Sequence, residues 1–425
     1  MRQSGGETGE AGGASSARPA ARRASSPVPD DVVALPVPHV LARTSKKIHG
    51  WWPGKRDCTA ERLLVNPYNG CSHNCSYCYA HALPGRFAMF SQHGVVTVCD
   101  GFDQEVARQL DGLRVAACGY LSPVTDPFQP VEAKYQLSLG IIRAFVTRGL
   151  PVEFTTKGRV PDEALALMAS QPHCFGQVSI VTLDPVRHRI LMPGAQPPDV
   201  LLDNLRRIKA AGLYAVARLD PVIPYLTDDL EELRRLVAAV RAAGADHLVA
   251  SCVDLPIGAG DRVIDELSLA VPGPGRAGWR SRFAGLYRER IGASTHAAQG
   301  YRRDLFAYLR QLAIEHQMTF ALCMEYVKPP QPGMLPVGLN REYTNCRNCE
   351  GIDVPMYVRP PGEEQFAPLA GCDGACLLCT PEHAAATCGV PELAGGGGWT
   401  LADYRRFSRV RYARFSKQGV GRRLS

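Results

Sequence analysis

Eight short runs of aliphatic and β-branched residues punctuate the chain from Arg62 onward: RLLVNPY, GVVTVCD, RVAACGYL, PVEFTTKG, QVSIVTLD, LYAVARLD, DHLVASCVD and FALCMEY. Each has the length of a buried strand. Between them lie amphipathic stretches such as VEAKYQLSLGIIRAFVTRG, PPDVLLDNLRRIKAAG and TDDLEELRRLVAAVRAAG, the last two closing on an alanine–glycine pair as helices often do. Strand and helix in alternation imply parallel strands joined by right-handed crossovers. The expected fold class is therefore α/β. Eight strands would complete a barrel, and a six-stranded partial barrel of the (β/α)6 type with irregular flanking strands fits the pattern equally. In both, chemistry collects at the C-terminal ends of the strands.

The periodic region does not fill all 425 residues. Residues 1–45, rich in Gly, Ala, Ser, Pro and Arg without an apolar period, predict a disordered segment that cannot bury enough surface to offset chain entropy. Residues 46–330 carry the barrel pattern. Beyond them, residues 331–395 turn to proline, glycine and cysteine and predict a small cysteine-rich module, and 396–425 form a basic aromatic tail. A hydrophobic content of 45% with 21% charged residues describes a soluble globular chain, and no apolar run reaches the length of a membrane span. The N-terminus lacks the layout of a secretory signal, so a cytoplasmic protein without membrane contact is expected. A net charge of +7 fits either basic tails or a phosphate-bearing partner and decides nothing alone.

Fifteen cysteines in a chain with no export signal point to metal or redox chemistry rather than disulfides. The segment NPYNGCSHNCSYCYAH places Cys71, Cys75 and Cys78 at C-x3-C-x2-C spacing directly after the first run. Three thiolates on one compact loop can hold three irons of a [4Fe-4S] cluster and leave the fourth without a protein ligand. The amino and carboxylate groups of S-adenosylmethionine can chelate that open iron. A zinc site is the competing reading, with His73 or a remote cysteine as the fourth ligand.

The loop resembles the signature of the radical SAM superfamily, and Asn66, Pro67, Gly70 and the Tyr77-Cys78-Tyr79 triplet make it similar to the spore photoproduct lyase-like branch. LSPVTDPFQPVE, TTKG, VSIVTLDPVRHRILMPG and DPVIPYLTD continue the resemblance, which is strong over residues 60–230 and weaker to about 326. It implies a partial radical SAM barrel that reductively cleaves S-adenosylmethionine to a 5'-deoxyadenosyl radical, with electrons from a flavodoxin or ferredoxin. Hydrogen abstraction from a small-molecule or peptide substrate is expected, with DNA or another nucleic acid as the alternative. By the same resemblance Tyr77 lies near the adenine of the cofactor, and Lys157 and Ser179 hold its methionine carboxylate and ribose. Cys118 would return a hydrogen atom, with Tyr77 and Tyr79 in the relay. Ser122 and Asp126 join the expected cofactor-binding residues, and Thr125, Asp126 and Glu132 together could meet substrate or cofactor hydroxyls. Plainer roles compete: Lys157 as a solvated loop lysine, Ser179 bonded to backbone, Cys118 as a small hydrophobe, Asp126 as a helix cap. The chain departs from the related pattern at Leu191-Met192-Pro193, where an acidic residue often precedes the proline.

A second cysteine set follows the barrel. Cys346, Cys349, Cys372, Cys376, Cys379 and Cys388 fall within 43 residues, and CDGACLLC repeats the C-x3-C-x2-C spacing. A further metal is expected there, either an auxiliary [4Fe-4S] cluster, which the repeated spacing favours, or zinc. In the tail, Arg405, Arg406, Arg409, Arg411 and Arg414 interleave with Tyr404, Phe407, Tyr412 and Phe415. That pattern suits an amphipathic helix docked on the barrel, or stacked bases and phosphates.

Overall fold

The structure, a computed structural model, describes residues 38–43, 62–328, 331, 337–360, 362–376 and 378–388. Of residues 1–45, expected to be disordered, 38–43 are described and His39–Arg43 forms a strand; the rest of that segment and the basic tail lie outside the described residues. Seven of the eight runs enter one parallel sheet: β1 Arg62–Val65, β2 Cys118–Leu121, β3 Val152–Thr156, β4 Phe175–Ser179, β5 Tyr214–Val222, β6 His247–Cys252 and β7 Thr319–Leu322. Each strand adds beside its predecessor, so the order across the sheet is β7-β6-β5-β4-β3-β2-β1. This is the expected α/β architecture, an open parallel sheet of the partial-barrel kind. GVVTVCD departs from expectation. Its strand, Val96–Asp100, pairs instead with His39–Arg43 and with Tyr68–Asn69 in a separate small sheet. Periodicity identifies a strand, not the sheet that it joins.

The crossover helices are α1 Phe102–Asp111, α2 Leu137–Val146, α3 Asp162–Ala169, α4 Pro198–Ala210, α5 Leu230–Ala242 and α6 Gln299–Glu315. In α4, proline opens the first turn and Leu201, Leu205 and Ile208 recur on the buried face. In α5, the Asp229 carboxylate accepts from the Glu231 and Glu232 amides at 3.1 and 2.9 Å, supplying the N-cap. The stretch read as one long helix at 131–149 is broken. Gln136 takes φ 49° between Glu132–Tyr135 and α2, and the buried Glu132 carboxylate accepts from the Ser138 and Leu139 amides at 3.0 Å each. Glu132 is thereby the cap of α2 and also accepts from the Tyr68 hydroxyl.

Side chains of the strands divide by parity. Leu63, Val65, Leu121, Val152, Phe154, Val178, Ala215, Ala217 and Leu248 belong to the large apolar core that also takes in Phe145, Ile208 and Leu236 of the helices. The opposite parity is polar at mid-strand. Arg62 donates to Glu153 at 3.2 Å and to Glu350, Gln177 donates to Glu153, and Arg218 joins Gln177 at 2.8 Å to Asp220, which accepts from Ser251. Below this layer, Cys118, Phe175, Val216 and Val249, near the strand starts, pack with Val354.

Val354 arrives from the segment expected to stand apart. Tyr357–Val358 pairs antiparallel with Val115–Ala116, and Tyr214 Oη donates to Gly351 O at 2.9 Å. His247 Nε2 meets Cys349 O at 3.1 Å, and its Nδ1 meets Thr319 Oγ1 at 2.7 Å. A carbonyl can only accept, so Nε2 carries a proton. The cysteine-rich segment therefore floors the barrel and shares its core.

Candidate active site

The cysteine loop leaves the C-terminal end of β1 and is held by the segments that carried the resemblance. Gln129, from TDPFQP, accepts from Ser72 N at 3.1 Å and donates to Gly70 O at 3.2 Å. Leu191 O accepts from Ser76 N at 2.9 Å, and Gly194 N donates to His73 O at 3.0 Å. A side chain at Gly194 would collide with Ser72 O, and a Cβ at Gly158 would meet Phe128 O at 2.5 Å. These two glycines permit backbone-on-backbone contact where the segments meet. Leu191 and Met192, the point of departure from the related pattern, are buried core residues, and Leu191 lends its carbonyl to the loop.

Asp126 is the hub. Its Oδ1 accepts from Phe128 N at 2.9 Å and Thr156 Oγ1 at 2.8 Å, its Oδ2 from Lys157 N at 2.6 Å, and His73 Nε2 stands 3.2 Å from Oδ2. Burial acts to raise the carboxyl, but the His73 ring and the two amide hydrogen bonds outweigh it and hold the group below the usual range. Both oxygens are thus engaged inside the protein. Asp126 positions the loop and the Lys157 turn, and it neither caps the helix near Pro130 nor faces outward. The other nitrogen of His73, Nδ1, lies 2.7 Å from Gly194 O. With both ring nitrogens so placed, His73 is not turned toward the three thiols as a zinc ligand would be.

Cys71, Cys75 and Cys78 lie close enough to feel one another's charge, and Lys157 acts on Cys75 and Cys78. Burial pushes all three thiols up, Cys75 to about 12 despite the opposing pull of Lys157. Lys157 is half-buried with Nζ 5.9 Å from the centre of the Tyr77 ring. Among the described residues no carboxylate lies within ion-pair distance of it. Three polar groups around this spot are buried without a hydrogen-bond partner: Tyr77 Oη, Ser122 Oγ and both ring nitrogens of His188. Ser122 has φ 57° at the end of β2 with its amide bonded to Val65 O at 2.7 Å. Burial lowers His188 to about 4, and Lys157 and His73 add to the effect. Ser179 ends β4, fully buried. A group with an anionic end, hydroxyls and an aromatic ring would fit the ammonium, the orphaned hydroxyls and the Tyr77 ring.

Cys118 does not join this group. It pairs in register with Arg62 at the start of β2, about 10 Å of strand from Leu121, where the site begins. Its thiol sits beside Arg62, Glu153, Cys174 and Glu350. The thiol near the site is one that motif reading passed over. Cys323 follows β7 and shares an electrostatic neighbourhood with Tyr79, Tyr120 and Arg218. Tyr79 also stands near Asp220 and donates to Pro123 O at 3.0 Å. The signal for Cys323 lay in its place within FALCMEY, directly after the strand ends at Leu322.

Residues 65–237 match the family model described as the radical SAM superfamily. That span of the chain carries a radical SAM domain. A radical SAM enzyme is similar over most of the chain: the radical SAM Nalpha-GlyT isomerase of Pseudomonas phage M6, 29% identical over 82% of this chain and 74% of that protein. An uncharacterised protein of Mycobacterium tuberculosis is 35% identical over 43% of this chain, a match that spans 56% of that protein. Among solved structures, a spore photoproduct lyase matches with a TM-score of 0.49 and 14% identity over 65% of this chain and 79% of its own. The radical SAM family implies a [4Fe-4S] cluster and S-adenosylmethionine, and the donor set at the mouth of the barrel fits both. Among the described residues no helix is long and apolar enough to cross a membrane.

Proposed function

We propose that Cys71, Cys75 and Cys78 hold a [4Fe-4S] cluster whose fourth iron takes S-adenosylmethionine, and that the enzyme abstracts hydrogen from a small-molecule or peptide substrate. When bound, this pair supplies an organic radical under reduction by a partner such as a flavodoxin or ferredoxin. The observation that carries the reading is a half-buried Lys157 ammonium with no carboxylate partner among the described residues, set against three mutually close thiols.

Lys157 would hold the carboxylate of the cofactor, Tyr77 would lie against its adenine, and Ser122 and Ser179 would meet its hydroxyls. Asp126 acts through others, fixing His73 and the Lys157 turn. Substrate would enter the polar interior of the barrel, where Tyr79, Tyr120, Arg218, Asp220 and Cys323 stand together above the buried floor. The phage relative is named an isomerase, which supports a redox-neutral rearrangement in which the abstracted hydrogen is returned. In that scheme Cys323 is the better-placed thiol to exchange hydrogen with substrate, and Cys118 is a floor residue.

The test is anaerobic reconstitution followed by assay for 5'-deoxyadenosine with S-adenosylmethionine and dithionite. The reading expects release from the native chain and loss in Cys75→Ala. Equal release from both, or none from a fully reconstituted native chain, would sink it.

A further inference from the structure

We infer that Cys372, Cys376, Cys379 and Cys388 hold a soft metal centre of their own, and that Cys346 and Cys349 are not among its ligands. The four cysteines line one cavity with Met356, Asp373, His383, Ala384 and Thr387. Two chain features bring them there. After Cys372 the chain turns on Gly374, at φ 77°, whose backbone rests on Val354 O, so that no side chain fits at that position. The helix Pro381–Thr387, capped by the Thr380 hydroxyl on His383 N at 3.2 Å, then returns Cys388 to the same space, with Cys388 Sγ 3.4 Å from Ala384 O.

Four thiols around one small space suit zinc or an iron–sulfur cluster, which share thiolate ligation, and poorly suit a hard cation. Met356 N donates toward Cys372 Sγ at 3.4 Å, the kind of backbone hydrogen bond that supports a metal-bound thiolate. Cys346 and Cys349 take a different place. They pack with Ala321 and Met324 at the end of β7, and Cys346 Sγ meets Asn348 O at 3.2 Å. Arg347 does reach Asp373 at 2.8 Å, so the two loops are neighbours, but neither thiol lines the cavity.

The location gives the centre a purpose. Val354 packs under Cys118, Phe175, Val216 and Val249, and Met356 forms part of the cavity wall. A metal there would clamp the segment that floors the barrel, at the opposite end from Cys71, Cys75 and Cys78.

The experiment uses the full chain carrying Cys71→Ala, Cys75→Ala and Cys78→Ala, so that the loop site contributes nothing and the outcome stands apart from the proposed activity. One portion is loaded with zinc alone and another with ferrous iron plus sulfide, each is desalted, and metal content and X-ray absorption are measured. Expected is retention of about one zinc or about four irons per chain, with an all-sulfur shell and metal–sulfur distances near about 2.3 Å. Whichever metal is retained distinguishes the two sources. Adding Cys346→Ser and Cys349→Ser should leave content unchanged, and adding Cys376→Ser should abolish it. Retention of neither metal, a nitrogen or oxygen shell, or loss of metal with Cys346→Ser and Cys349→Ser would overturn the assignment. If the Cys376→Ser chain fails to fold, the sulfur coordination number of the parent chain still decides, since fewer than four sulfurs contradicts the site.

Discussion

At the scale of single residues, buried charge organises this molecule. Arg62 is 1% exposed between Glu153 and Glu350, 91 and 288 positions away in the chain. Burial and the neighbouring Glu350 push the Glu153 carboxyl well up despite Arg62, and the guanidinium faces both acids. Arg62→Met would leave that pair without its cation. The expected cost is about 3–5 kcal/mol, read from denaturant midpoints, whereas a loss under about 1 kcal/mol would mean that the network is relaxed by water. Lys157 sits at the other end of the barrel and is expected to matter for ligand rather than for fold. Lys157→Ala should weaken S-adenosylmethionine binding by about 10-fold or more, the worth of a charge-assisted hydrogen bond, with little change in unfolding midpoint. Equilibrium binding to the reconstituted chain checks this, and undiminished affinity would return Lys157 to the role of a loop lysine.

Among elements, the junction of strand ends with the flooring segment sets a pH response. His247 opens β6 and lies between Thr319, the Cys349 carbonyl and the Gly351 backbone, with Tyr214 alongside and Asp246 and Arg218 as the nearby charges. Burial, aided by Arg218, lowers it to about 4. The unfolded chain binds the proton more readily, so this histidine's contribution is full above about pH 6.5 and is lost as pH falls toward 4. The span corresponds to roughly 3 kcal/mol, and His247→Gln should flatten that part of the stability profile. An unchanged slope in the variant would assign it to other groups. Glu132 illustrates the same logic at a helix start. Its carboxylate caps α2 from six residues upstream, and Glu132→Ala should cost about 1–2 kcal/mol by removing both amide bonds. The same elements show what a sequence can disclose. That the cysteine loop, TDPFQP and TTKG meet at the strand ends was legible because each is a short contiguous loop directly after a recognisable strand. Cys118 was placed on the right strand but at the wrong depth, because spacing does not reveal how far along a strand the site begins. The partnership of Arg62 with Glu350 was invisible, since nothing local links positions so far apart.

For the whole molecule, the barrel is closed below and open above. The flooring segment brings Val354 and Glu350 up against the strand starts, and the loops after the strands gather Tyr77, Ser122, Lys157, His188 and Cys323 at the mouth. Tyr77, Ser122 and His188 hold buried polar atoms without partners at the mouth, while Arg62 and His247 at the floor are engaged in ion pairs and hydrogen bonds. Under the proposed function, that asymmetry would direct ligand to one end and leave the β2 thiol beneath the chemistry. The second set of cysteines shares the floor, so signals from two metal sites would overlap in the native chain. The most direct check of the central claim is therefore electron paramagnetic resonance of the dithionite-reduced, reconstituted chain carrying Cys372→Ser, Cys376→Ser, Cys379→Ser and Cys388→Ser, with and without S-adenosylmethionine. The expected result is a reduced [4Fe-4S] signal that changes on addition of S-adenosylmethionine and is absent when Cys71, Cys75 and Cys78 are also replaced. A signal that survives loss of those three cysteines, or one indifferent to S-adenosylmethionine, would contradict it.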